Sequence, residues 1–142
     1  MKKIYLCALM IILLRGAAFS QAALRGMYIN HFDNILGNTD NENQLFKYAA
    51  DSSYNYFALY DLNSVDMSVQ SEADKLALFI KRARLMYGVQ YIGAVAETYA
   101  DFQNKIVPFN NSRTDVNERF NVFNLEFEFW TTSSVSPGNS IM

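Results

Sequence analysis

Cysteine is almost missing from this chain: Cys7 is the one such residue among 142. Its isolation excludes a disulfide-stapled mini-domain and any cysteine-ligated zinc site, since both need ligands in sets. Histidine is as scarce. His31 stands alone among scattered acids, too few for a visible metal constellation, so neither a metal nor a cofactor is expected. No glycine-rich phosphate loop follows any of the strand-like segments, which argues against nucleotide binding. Basic residues are also few. Setting aside Lys2, Lys3 and Arg15 of the leader, the 12 Lys+Arg fall to 9 against 14 Asp+Glu, a net charge of −5. A nucleic-acid partner needs a basic face and is not expected. No basic amphipathic stretch points to a membrane surface.

What remains is rich in apolar matter: 51% hydrophobic and 15% aromatic residues, with 18% charged. Such a chain buries enough surface to fold, and its length suits one domain or part of a larger one. The first residues differ from the rest. Lys2 and Lys3 precede the uninterrupted apolar run Ile4 to Leu14, and Ala18-Phe19-Ser20 offers small residues before Gln21. This is the layout of a secretory signal peptide over residues 1–20, cleaved to give a secreted or periplasmic product. Eleven apolar residues at about 1.5 Å each reach only about 16 Å, far short of the ~30 Å of a bilayer core, so no membrane anchor is expected after cleavage.

From residue 21 the periodicity alternates between strand and helix. Arg25 to Phe32 reads as a first strand, Glu42 to Tyr54 as a short helix and Asn55 to Leu62 as a second strand. Ser71 is placed to cap a longer helix running to Tyr87. Its apolar stripe is Leu76, Phe79, Ile80, Ala83 and Met86, and Gly88 ends it. Val89 to Ala96 is a third strand, apolar enough to be covered on both faces. Glu97 to Asn111 reads as a long loop with one helical turn, limited by Pro108. Asp115 to Arg119 is a brief helical stretch, Phe120 to Trp130 a fourth strand, and residues 131–142 a disordered tail. The order predicts an α/β fold over residues 21–130. It matches the first half of an eight-fold β/α barrel, about four parallel strands with intervening helices, or a small open parallel sheet.

The fourth strand carries the sharpest chemistry. Alternation puts Phe123, Leu125, Phe127 and Phe129 on one face and Asn124, Glu126, Glu128 and Trp130 on the other. Two carboxylates on one face lie about 6.6 Å apart along the strand, at about 3.3 Å per residue. Turned into a barrel interior they are costly unless paired or catalytic; on a solvated edge strand they are ordinary. The segment FNVFNLEFEFW resembles the fourth-strand signature of the family-18 glycoside hydrolases, D-x-x-D-x-D-x-E within a hydrophobic strand. Asn121 and Asn124 stand at the first and second Asp, Glu126 at the third, and Glu128 at the catalytic Glu. The resemblance implies hydrolysis of N-acetylglucosamine-containing glycans. Glu128 would protonate the glycosidic oxygen while the substrate's own acetamido group attacks, with Glu126 orienting that group. A more general barrel glycosidase with either glutamate as its acid also fits.

Around these acids, Asp61 at the end of strand two and Glu97 after strand three belong to the same rim as Glu128 and are placed to bind sugar hydroxyls. Tyr60 and Trp130 can stack on pyranose rings, and His31, near Asp33, can orient a hydroxyl. The expected partner is therefore a carbohydrate substrate. Two other readings stay open: a non-catalytic carbohydrate-binding relative, consistent with the two asparagines, and a truncated barrel fragment without its own activity. A half barrel leaves sheet edges and apolar faces open, so self-association of the half barrel is expected.

Overall fold

The computed structural model describes residues 23–126. The segments expected from the sequence to be a leader (1–20), the end of the fourth strand (Glu128 and Trp130 among them) and a tail (131–142) lie outside the described residues. Strands β1 (Gly26–Ile29), β2 (Tyr56–Leu59), β3 (Tyr91–Ala96) and β4 (Val122–Leu125) form one sheet in the order β1-β2-β3-β4. Every neighbouring pair is parallel. Parallel neighbours demand a crossover, and helices supply it: α1 (Thr39–Asp51) between β1 and β2, and α2 (Gln70–Tyr87) between β2 and β3. The third crossover is built from α3 (Tyr99–Asp101), a π turn (Phe102–Ile106) and α4 (Val107–Ser112), followed by a 3-10 turn at Val116–Glu118. This is an α/β half-barrel arrangement whose sheet is not closed.

The register divides the sheet into two faces. Phe57 pairs with Ile92 and Leu59 with Ala94, and these side chains are buried against the helices. There they meet Phe46 of α1 and Leu76, Phe79 and Ile80 of α2, all without exposure to solvent. Phe79 holds this layer together, its ring 4.9 Å from both Phe32 and Phe46. Burying one such ring is worth about 2–3 kcal/mol. Ion pairs join the helices outside the core. Arg82 of α2 donates to the buried carboxylate of Glu42 in α1, and Lys81 lies 2.9 Å from Asp115 and 3.0 Å from Glu118.

Several elements differ in detail from the sequence reading, each for a local reason. The first helix starts at Thr39, because Asn38 caps it by accepting the N–H of Asn41. The second starts at Gln70 after Val69, so Ser71 lies inside it and is not its cap. Met86, expected in the buried stripe, is 68% exposed; Tyr87 takes its place, stacked on Phe46 at 4.7 Å. Gly88 ends α2 as expected, at φ +73°, and no atom crowds it. The segment read as a long loop is helical over residues 99–112, with Pro108 inside. A proline lacks the N–H of an α-helical bond and crowds the carbonyl four residues back, here Asn104. The wider π turn just ahead, in which Val107 donates to the carbonyl of Phe102, gives that ring room.

Candidate functional site at the strand ends

Strands one and two both stop earlier than their apolar runs, and they stop in the same way. After Ile29 and after Leu59 one residue follows, and then His31 (φ +51°) and Asp61 (φ +58°) turn left-handed. Each is followed by a 3-10 turn, Phe32–Asn34 and Leu62–Ser64, whose first side chain is buried. The strands predicted to run through Phe32 and Leu62 are therefore cut short. Short polar residues tolerate this conformation at a cost of order 1 kcal/mol, and few others do. The repeated pattern Ile-Asn-His-Phe-Asp-Asn and Leu-Tyr-Asp-Leu-Asn-Ser was the available signal. The two corners are tied: the backbone N–H of His31 donates to Oδ2 of Asp61 at 2.7 Å.

This geometry gathers residues that the sequence keeps about 30 positions apart. Nδ1 of His31 lies 3.7 Å from Oδ2 of Asp61. The ligand atoms of His31, Asp33 and Asp61 all fall within 4.8 Å of one another, on the surface. One imidazole and two carboxylates at that spacing can chelate a divalent cation, a grouping that linear spacing did not disclose. Tyr28 and Tyr60 lie together nearby, ring centroids 5.4 Å apart and planes tilted by 59°.

Beside this corner, a cleft of about 230 Å³ opens at the C-terminal ends of β2, β3 and β4. Four of the residues singled out from the sequence line it: Tyr60, Asp61, Glu97 and Glu126. Val95, Ala96 and the Leu62–Ser64 turn complete the wall. The backbone N–H of Glu126 donates to the carbonyl of Ala96 at 3.0 Å, extending the ladder one residue past β4 and fixing the main chain of Glu126 at the rim. His31 touches the site through Asp61 and does not line the cleft. Glu128 and Trp130 lie outside the described residues.

The other motif positions do something different. Asn124 stands on the same face as Glu126, but its amide donates to the hydroxyl of Tyr56. Tyr56, which the sequence reading did not single out, lies over the inner face of the sheet and reaches from β2 across β3 to β4. Gly93 makes this possible: a Cβ there would stand 2.8 Å from the Tyr56 hydroxyl oxygen and 3.4 Å from the Asn124 amide nitrogen. Asn121 is bound to the backbone of the neighbouring strand. Its Oδ1 accepts the N–H of Ile92 at 2.8 Å, and its Nδ2 donates to the carbonyl of Gln90 at 3.0 Å. Both amides thus hold β4 in register. No family model, curated protein or solved structure matches the chain.

Proposed function

We propose that this chain is an exported glycoside hydrolase-like protein that acts on N-acetylglucosamine-containing glycans, with Glu128 as the general acid and Glu126 orienting the acetamido group. The observation that carries this reading is the cleft at the strand ends, where Glu126 of the fourth strand meets Asp61, Glu97 and Tyr60. The C-terminal end of a parallel β/α sheet is where barrel enzymes keep their active sites. The cleft presents acceptors for sugar hydroxyls on three successive strands, and the aromatic pair Tyr28–Tyr60 beside it offers a face for a pyranose ring. The test is hydrolysis of a chromogenic chitobioside by the mature chain. Release of the chromophore should disappear in Glu128→Gln, which removes the general acid, and fall by about 10²-fold or more in Glu126→Gln, the scale on which misplacing a reacting group costs rate. Turnover that survives Glu128→Gln contradicts the assignment.

A second reading has its own support. Two of the four positions that match the family's acidic signature, Asn121 and Asn124, are engaged in bonds that hold the sheet together. That favours a relative that binds glycans without cleaving them. Saturable chitobiose binding with no turnover would select it.

A further inference from the structure

A second and larger cleft, of about 650 Å³, lies between the loop after β2 and the π turn with α4. It shares Asn63 and Ser64 with the strand-end cleft, and its volume falls in the range of small-molecule sites. We infer that this cleft binds a small hydroxylated carboxylate, of the sugar-acid class, with Lys105 pairing the carboxylate and Asn104 and Ser64 bonding the hydroxyls.

The inference starts from charge. Among the described residues, Lys47, Lys75 and Lys81 each have a carboxylate oxygen within 3.0 Å. Lys105 does not: its nearest acid, Asp101, is 3.8 Å away. Its Nζ instead donates to the neutral Oδ1 of Asn63 at 2.6 Å, across the mouth of the cleft. An ammonium has three donors, so capacity is left for an incoming carboxylate. The acid on the opposite lip, Asp66, is turned back on its own chain, with Oδ1 accepting from both the N–H and the hydroxyl of Ser68. Those bonds, with a smaller contribution from the Lys105 charge, hold its carboxyl below the ordinary range, and it forms no direct ion pair with Lys105 among the described residues.

Neutral donors and acceptors are free on the same walls. Among the described residues no group bonds the side chains of Asn104 or Ser64, and both line the cleft. The floor is apolar, from the buried Phe109 and Val65, and suits the carbon face of a sugar. Arg113 borders the cleft, its guanidinium 5.1 Å over Phe109 and bound to Asp74 at 2.5 Å. It is 9% exposed, and its Nε has no acceptor among the described residues. Beside the half-exposed Lys105, the site therefore has a buried guanidinium, paired with Asp74, that keeps one unfilled donor. The π turn that carries Asn104 and Lys105 is itself a feature enriched at functional sites.

The test is calorimetric titration of the full chain with D-glucuronate, with D-glucose as the neutral control. Saturable glucuronate binding at least about tenfold tighter than glucose is expected, the loss that follows from one missing charge-assisted hydrogen bond. Lys105→Gln should weaken glucuronate to the level of glucose, and Asn104→Ala should weaken both ligands. Lys47→Gln, which removes an equal charge from the surface of α1, should leave the affinity unchanged. Circular dichroism checks that each variant is folded. Absence of saturation into the tens of millimolar overturns the inference. So does equal binding of glucose, or an equal loss in Lys47→Gln. None of these outcomes bears on hydrolysis at Glu128.

Discussion

The two faces of the sheet are made from the same four strands and behave as different materials. On the helix side, Phe57, Leu59, Ile92 and Ala94 are sealed and meet only other apolar side chains. On the inner side stand Tyr28, Tyr56, Gly93 and Asn124, with the small Ala58 and Val95 buried among them, and Tyr28 is 63% exposed. A parallel sheet is normally covered on both faces, and this inner face buries only small apolar side chains, Ala58 and Val95, beneath tyrosine and asparagine. The two faces keep different kinds of free energy. Packing against α1 and α2 stabilises the fold, and the polar side, spared that duty, leads to the acids at the strand ends.

The contrast can be broken most severely from the helix side. Phe79→Ala should cost about 3–5 kcal/mol in chemical denaturation, because the ring touches both Phe32 and Phe46 and leaves a cavity that the helices cannot close. Gly93→Ala tests the inner side. Its methyl group would meet the Tyr56 hydroxyl and push it off Asn124, so a loss of about 1–3 kcal/mol is expected, the usual range for overpacking. Restoring stability by adding Tyr56→Phe to Gly93→Ala would show that the hydroxyl is the clashing group.

The smallest effect is the dependence on acid. Arg113 and Gln70 hold the Asp74 carboxyl below its ordinary value of 3.8, and bonds from Asn117 and Lys81 do the same for Asp115. A carboxyl depressed in the fold contributes stability that is present above the unfolded value and is lost as pH falls through the folded one. Stability should therefore be flat from neutrality down to about pH 4 and decline below it. Both groups are solvated, so the decline should be gradual. Lys81, raised by Asp115 and Glu118, works in the opposite direction: its contribution is complete below 10.5 and fades only above it. A denaturation series against pH checks both limbs.

Much of the architecture was legible because the strands are short apolar runs separated by stretches long enough for a crossover. The helix ended by Gly88 could be read almost residue by residue. Alternation along β4 also held as far as it is described: Val95 pairs with Asn124 and Ala96 with Leu125, as opposite faces require. What was hidden depended on backbone conformation or on distant partners. His31 and Asp61 look like strand residues until a left-handed φ turns the chain. Pro108 looks like a helix limit unless a π turn precedes it. Asn121 and Asn124 look like relics of an acidic signature, and only the register shows that they bond Ile92, Gln90 and Tyr56. The convergence of His31, Asp33 and Asp61 needs two strands to pair before it exists.

The central claim is that the polar strand ends form the glycan site. Amide chemical-shift mapping during titration with di-N-acetylchitobiose tests it most directly, in either the catalytic or the binding reading. The account predicts saturable shifts concentrated at Tyr60, Asp61, Val95 to Glu97 and Glu126, with α1 unmoved. Shifts confined to the helix side, or none at all, would contradict it.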